Sequence, residues 1–261
     1  MIRLSANVDW LWKDLPIPQR LEAAQRAGFH FVESLNPYGA RTADWKVWLE
    51  ANQLALVLVN TPAGSSAKLA VRGLAAWPGK EKEFRLVFEE ALTYAVALKV
   101  PLVHATAGPL IDGASVQVQQ ACYEANLAWA CAVAQQQDVK VTIEPLSQRD
   151  SPGAFLASLH RALATIKAVG HPSLKLQFDL YHQQILQGDI VASLRACIQH
   201  IGHIQVAGVP DRGEPDRGEL HFDRVAQELL ALGYQGFVGC EYRPQGATPE
   251  IGLAWAKPYL G

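Results

Sequence analysis

Residues 140–179 read KVTIEPLSQRDSPGAFLASLHRALATIKAVGHPSLKLQFD, which is a short strand, a helical stretch and a second strand. The predicted strands are Lys140–Glu144 and Leu174–Asp179. The helix between them, predicted at Phe155–Val169, is followed by Gly170, a residue that is favoured at helix C-termini. A strand, a helix and a strand in this order predict a parallel sheet with crossover helices.

The same alternation runs along the whole chain. Further strands are predicted at Leu4–Asn7, Phe29–Ser34, Leu54–Asn60, Leu102–Ala107, His203–Ala207 and Phe237–Tyr242. Several are apolar at consecutive positions, as is typical of parallel strands that are covered on both faces. Eight such units in 261 residues predict an α/β protein with a single (βα)8 TIM barrel domain over residues 1–261. An open doubly wound sheet is the alternative, disfavoured because no glycine-rich phosphate loop follows the first strand.

The composition excludes several classes of partner. Lys plus Arg number 23 and Asp plus Glu 25, so the net charge of −2 gives no support for nucleic-acid binding. No apolar run approaches the roughly 20 residues that span a bilayer, so no membrane partner is expected. The cysteines contain no CxxC pair and are expected to be reduced thiols of a cytoplasmic protein. The sequence leaves open whether the protein forms a homo-oligomer. Trp45 and Trp48 are expected to be exposed on a short helix and to form its interface.

Four consecutive predicted strands end in side chains that carry oxygen, namely Glu144, Asp179, Gln205 and Glu241. The active site of a (βα)8 barrel lies at the carboxyl ends of its strands. Three carboxylates that converge there repel one another unless they share a cation or a proton. Because all four donors are oxygens, we expect one divalent metal, Mg²⁺ or Mn²⁺, and no organic cofactor. The alternative is that these side chains form separate ion pairs or helix caps.

The segment 209–219, VPDRGEPDRGE, follows the seventh predicted strand and is rich in glycine and charge. An arginine in such a loop is suited to bind a carboxylate, with Arg212 as the first candidate and Arg217 as the second. The alternative is a solvated loop whose charges pair with each other. His182 is interpreted either as a residue that hydrogen-bonds a substrate oxygen or as a structural histidine. The same two interpretations apply to His203.

These motifs resemble the hydroxypyruvate isomerase family, within the xylose-isomerase-like barrels, over essentially the whole chain. The segments that carry the resemblance are Ser5-Ala-Asn7, Val32-Glu33, His104, Glu144-Pro-Leu-Ser, Gln177-Phe-Asp179-Leu-Tyr-His182, His203-Ile-Gln205-Val-Ala-Gly-Val-Pro-Asp-Arg212-Gly and Gly239-Cys-Glu241-Tyr. The resemblance implies interconversion of hydroxypyruvate and 2-hydroxy-3-oxopropanoate (tartronate semialdehyde) through an enediol or enediolate, with Glu144 and Glu241 as the acid/base pair.

The resemblance also implies a metal held from strands five to eight, although Gln205 stands where the sugar epimerases of the superfamily have a histidine. The residues expected to bind a small 2-oxo acid or sugar acid are His182, Arg212, Arg217, His104 and Asn7. The alternatives are a 2-oxo-tetronate isomerase, a ketose 3-epimerase that uses the same site, an abasic-site endonuclease of the same barrel type, and a non-enzymatic sensor of sugar acids.

Overall fold

The computed structural model describes residues 1–69 and 71–260. Its eight strands form a closed barrel in chain order, and the last strand pairs in parallel with the first. The strands are β1 (Arg3–Asn7), β2 (Phe31–Ser34), β3 (Ala55–Asn60), β4 (Leu102–His104), β5 (Lys140–Ile143), β6 (Leu174–Asp179), β7 (Ile201–Val206) and β8 (Phe237–Cys240). The predicted (βα)8 barrel is therefore confirmed, and the closed strand order rules out the open doubly wound sheet.

Helices separate most of the strands. They are α1 (Ile17–Arg26), α2 (Thr42–Ala51), α3 (Glu81–Leu98), α4 (Val116–Gln135), α5 (Leu159–Val169), α6 (Leu180–Leu186), α7 (Ile190–Cys197) and α8 (Phe222–Ala231). A 3₁₀ helix, Pro249–Tyr259, follows β8.

The local sequence explains where two of these helices begin and end. The side chain of Ser115 accepts the backbone N–H of Val118 at the start of α4, and Ser158 accepts that of Arg161 at the start of α5. Such caps satisfy backbone N–H groups that have no partner inside the helix. Gly170 ends α5 with a φ of +63°, in the left-handed region where glycine carries no steric cost.

The register of four strands aligns polar positions that are far apart in the sequence. Asn7 of β1 pairs with Glu33 of β2. Gly239 of β8 lies between Ser5 of β1 on one side and Gln205 of β7 on the other. Backbone pairing therefore brings these five residues to neighbouring positions of the barrel wall.

The contacts divide the chain into two compact units. The first comprises Met1–Leu58, Asp179–Gln199 and His203–Gly261, and the second comprises Val59–Phe178 and His200–Gly202. Fully buried side chains in the first unit include Leu21, Val32, Leu194 and Val238. Those in the second unit include Phe84, Phe88, Tyr123 and Leu127.

The expectation that Trp45 and Trp48 form an exposed pair is wrong for Trp45. Trp45 is 0% exposed, and its indole N–H donates to the carbonyl of Pro37 at 2.9 Å. Positions 45 and 49 lie on one face of α2, and Leu49 is also buried, so this face belongs to the core. Trp48 is half-buried beside Trp45.

The four cysteines, Cys122, Cys131, Cys197 and Cys240, are free thiols. Burial raises the pKa of the Cys131 and Cys197 thiols to about 12, so they stay protonated at neutral pH. None of the helices in the described residues combines the length and the apolar character needed to cross a bilayer.

Candidate active site

Glu241 directly follows β8, and three side chains of the first unit hold its carboxylate. Oε1 accepts a hydrogen bond from Arg212 Nη2 at 2.6 Å. Oε2 accepts one from Gln205 Nε2 at 2.6 Å and one from Asn7 Nδ2 at 3.2 Å. Glu241 is only 7% exposed, and a carboxylate that has lost its water needs such donors. The arrangement therefore holds this carboxylate in a defined direction.

The surroundings raise the pKa of Glu241 from 4.5 to about 8. Burial is the largest cause, and the positive charge of Arg212 opposes it by lowering the pKa. The carboxylates of Asp179, Glu33 and Asp9 raise the pKa further. A carboxyl group with a pKa near neutrality can both take up and release a proton under ordinary conditions.

Arg212 lies in the loop after β7, between two aromatic rings. The central guanidinium carbon lies 4.4 Å from the ring centroid of Trp10 and 4.9 Å from that of Tyr181. The backbone of Arg212 has a φ of +55°, in the left-handed region, and its carbonyl accepts the N–H of Arg243 at 2.7 Å. This arginine is therefore a fixed, 6% exposed cation whose head group is paired with Glu241.

Arg217, the second predicted anchor, lies elsewhere on the same loop. Its side chain is exposed, and its backbone N–H donates to the carbonyl of Glu214 at 3.0 Å. Glu214 is itself 0% exposed and accepts the N–H of Gln245 at 3.0 Å. Of the two predicted anchors, Arg212 is thus the one that the fold buries beside a strand-end carboxylate.

Asp179 ends β6 and caps α6. Its Oδ1 accepts the backbone N–H of Tyr181 at 2.8 Å. Its Oδ2 lies 3.6 Å from His182 Nε2 and 3.6 Å from Arg212 Nη2, which are ion-pair distances rather than hydrogen bonds. Although Asp179 is 1% exposed, no hydrogen-bond donor of the described residues reaches Oδ2. A buried oxygen of this kind is suited to accept a cation or a donor group of a substrate.

In the second unit, Glu144 directly follows β5 and lies beside a histidine and a glutamine. Gln177 Nε2 donates to Glu144 Oε2 at 3.1 Å, and Gln177 Oε1 accepts from Thr142 at 3.0 Å, which fixes the direction of this amide. His104 Nδ1 lies 3.7 Å from the same Glu144 oxygen and 3.2 Å from Asn60 Oδ1. Glu144 is 8% exposed, so this acid is also buried among polar partners.

The predicted site residues therefore fall into two groups, one in each unit. The first unit links Asn7, Asp179, His182, Gln205, Arg212 and Glu241 through the contacts given above. The second unit pairs Glu144 with His104.

Glu33 belongs to the first group, although the sequence gives it no predicted role. It lies on β2, is 0% exposed, and accepts hydrogen bonds from Gln205 and Asn7. His203 Nε2 lies 2.7 Å from its other oxygen, so His203 is a partner of Glu33. The sequence feature that could have indicated a role for Glu33 is its position as a carboxylate inside the apolar segment Phe29–Ser34.

Known proteins resemble the chain over its full length. A curated 2-oxo-tetronate isomerase from Cupriavidus necator is 43% identical over 261 residues, which cover 100% of both chains. A hydroxypyruvate isomerase from Escherichia coli is 37% identical and covers 99% of this chain and 100% of its own. A crystal structure of AP endonuclease, family 2, from Brucella melitensis has a TM-score of 0.96 at 37% identity and covers 100% of both chains.

The model of one protein family, described as the xylose isomerase-like TIM barrel, matches residues 21–259. Together with the curated relatives, this match shows that the chain belongs to the xylose isomerase-like TIM barrel family, in the part whose curated members are named hydroxypyruvate isomerase and 2-oxo-tetronate isomerase.

Proposed function

We propose that the chain is an isomerase that interconverts hydroxypyruvate and 2-hydroxy-3-oxopropanoate. The observation that carries this proposal is the buried Glu241 carboxylate, which follows a barrel strand and is held by Arg212, Gln205 and Asn7. Isomerisation of the four-carbon 2-oxo-tetronate at the same site is the alternative, because relatives of both names are 37–43% identical over the full length.

The reaction moves hydrogen between two neighbouring carbons. A base takes a proton from the hydroxymethyl carbon of hydroxypyruvate while the ketone oxygen gains a proton, which gives an enediol. A proton is then added to the former ketone carbon, and the other hydroxyl loses its proton to become the aldehyde. The enzyme therefore needs a group that accepts and returns a proton, and donors that stabilise the developing negative charge on oxygen.

The two strand-end glutamates are the proposed acid/base pair. Glu241 and Glu144 are both buried and hydrogen-bonded, so each presents its carboxylate in a fixed direction. We assign binding of the substrate carboxylate or an enediol oxygen to Arg212 and His182, with His104 and Asn7 as further hydrogen-bonding residues. Arg217 is a secondary candidate, because its side chain is exposed.

The donor set fits one divalent ion, Mg²⁺ or Mn²⁺. The buried oxygen Asp179 Oδ2 receives no hydrogen bond from the described residues. Gln205 donates from its nitrogen to two carboxylates, so any coordination of an ion by this amide would use its oxygen. We propose Glu144, Asp179, Gln205 and Glu241 as ligands, with His182 as a further buried candidate. A bound ion would supply Lewis acidity toward a carbonyl oxygen.

Two alternative activities, ketose 3-epimerisation and cleavage of abasic DNA, act on different substrates. Ketose 3-epimerases with this fold are 16–18% identical to the chain, a similarity that shows the fold alone. An endonuclease acting on abasic DNA must neutralise phosphates, and the net charge of −2 does not favour that.

The test is a substrate panel in deuterium oxide. Wild-type protein with Mg²⁺ is incubated separately with hydroxypyruvate, 2-oxo-tetronate, five- and six-carbon ketoses, and a duplex that contains an abasic site. Proton NMR should show the aldehyde product from hydroxypyruvate or the 3-oxo product from 2-oxo-tetronate, with deuterium at the carbon that exchanges its proton. Folded protein that gives neither product nor exchange with these acids would overturn the proposal, and cleavage of the duplex would favour the nuclease.

We further propose that residues 1–261 act as one barrel domain in a reducing cytoplasm, with a small molecule as partner. The family match over residues 21–259 supports the single domain, and the four free thiols suit a reducing compartment. A single calorimetric unfolding transition is the expected result for one domain.

A further inference from the structure

Glu33 is a fully buried carboxylate to which the proposed chemistry gives no part. It lies on β2 and is 0% exposed. Its Oε1 accepts from Asn7 Nδ2 at 2.9 Å and from Gln205 Nε2 at 2.8 Å. Its Oε2 lies 2.7 Å from His203 Nε2 and accepts from Ser5 Oγ at 3.3 Å. Four partners match the roughly four lone-pair sites of a carboxylate, so this burial is well compensated.

Two of these partners also donate to Glu241. Asn7 Nδ2 reaches Glu241 Oε2 at 3.2 Å, and Gln205 Nε2 reaches the same oxygen at 2.6 Å. An amide nitrogen carries two hydrogens. Each amide therefore bridges the two carboxylates, with one hydrogen toward Glu33 Oε1 and the other toward Glu241 Oε2. Rotating either amide by half a turn would place its oxygen against both carboxylates, so the bridge fixes its direction.

Gly239 shows independently that β8 is built around the Glu33 side chain. A Cβ atom added at Gly239 would overlap both carboxylate oxygens of Glu33. The φ of Gly239 lies outside the positive region, so the need for glycine here comes from the neighbouring carboxylate and not from the backbone. The strand that precedes Glu241 thus has no side chain at position 239, which leaves room for Glu33.

We propose that Glu33 is a positioning residue: by holding one hydrogen of the Asn7 and Gln205 amides, it directs the other hydrogen of each toward Glu241 and fixes the direction of that carboxylate. The inference rests on the proposed acid/base role of Glu241. In this proposal Glu33 acts only through the two amides and transfers no proton to the substrate.

The first test is Glu33→Gln, which keeps the size of the side chain and places N–H groups opposite N–H donors. The kcat for the 2-oxo acid should fall by about 10- to 100-fold, because a displaced catalytic group loses most of its effect, and KM should change by less than about threefold. The control is Glu228→Gln on α8, a 5% exposed carboxylate bonded to Arg195. The control should keep the wild-type kcat.

A second pair of variants separates positioning from space-filling. Glu33→Ala removes the carboxylate, and Glu33→Ala combined with Gly239→Ala puts a methyl group into part of the space that it leaves. The double variant should regain thermal stability relative to Glu33→Ala while its kcat stays low. Recovery of kcat in the double variant, or a wild-type kcat in Glu33→Gln, would overturn the inference.

A crystal structure of Glu33→Gln gives a readout that needs no activity. We expect the Gln205 amide to turn and the Glu241 carboxylate to rotate from its wild-type direction, and an unchanged Glu241 would contradict the inference. Glu241→Gln separates the two proposals. If Glu241→Gln turns over substrate like wild type, the proposed function of Glu241 fails, whatever the Glu33 variants show.

Discussion

Arg212 Nη2 lies 2.6 Å from Glu241 Oε1, and both residues are more than nine-tenths buried. The stacking of the guanidinium between Trp10 and Tyr181 keeps the cation at this place. A buried charge whose partner is removed costs far more than an exposed one, because water cannot replace the lost contact. This pair therefore links the stability of the barrel to the residues of the candidate site.

Replacing Arg212 by Met leaves the Glu241 carboxylate without its cation. At about pH 9, above the Glu241 pKa of about 8, we expect Arg212→Met to lower the free energy of unfolding by about 3 kcal/mol. The double variant Arg212→Met/Glu241→Gln should recover most of this loss, because the uncompensated charge is gone. Urea denaturation measures both values, and equal losses in the single and double variants would show that the ion pair does not cause the effect.

The pH dependence of stability follows from the raised pKa of Glu241. Burial raises this pKa from 4.5 to about 8, so the folded protein keeps a proton that the unfolded chain releases. The stabilisation is complete below about pH 4.5 and is lost as the pH rises through 8. In the presence of a chelator, the wild type should lose up to about 1.4 kcal/mol per pH unit in this window relative to Glu241→Gln. Parallel stability curves for the two proteins would contradict the assignment.

The eight strands were predictable because each forms an apolar run between helical stretches. The bounds of β6 agree with the prediction, whereas the predicted strand Phe29–Ser34 begins two residues too early. Phe29 is buried, but its N–H bonds to Ala24 in the turn that ends α1. The apolar character of Phe29 therefore predicted correctly that this position is buried. The first residue of the strand is instead determined by backbone hydrogen bonding.

The candidate site was predictable in part for a similar reason. The carboxylates of Glu144, Asp179 and Glu241 interrupt or end apolar runs, and this local signal can be read from the sequence. The partnership between Glu33 and His203 joins residues that are 170 positions apart, and no local pattern encodes it. Only the register of the barrel strands brings such residues together.

The two arginines of the loop after β7 should differ in their effect on substrate binding. Arg212→Lys loses the planar fork and the stacking, so we expect kcat/KM to fall at least about 10-fold. Arg217→Lys keeps the charge of an exposed side chain, and kcat/KM should change by less than about threefold. Steady-state kinetics with the same 2-oxo acid compares them, and a larger effect at Arg217 would move the anchor to that residue.

Metal binding should depend on Asp179. Its buried Oδ2 receives no hydrogen bond from the described residues, so we expect Asp179→Asn to weaken Mn²⁺ binding at least about 10-fold. The electron paramagnetic resonance signal of free Mn²⁺ reports binding without any turnover. Asp223→Asn on α8, a carboxylate bonded to Tyr259, is the control and should bind like wild type. Equal affinities in all three proteins would remove Asp179 from the ligand set.

In the proposed reaction, Glu144 and Glu241 move the proton between the two carbons of the substrate. The most direct measurement is the rate of deuterium incorporation from solvent into hydroxypyruvate or 2-oxo-tetronate by wild type, Glu144→Gln and Glu241→Gln, followed by proton NMR. We expect each variant to stay folded and to lose at least about 100-fold in this rate. Incorporation at the wild-type rate in either folded variant would contradict the claim.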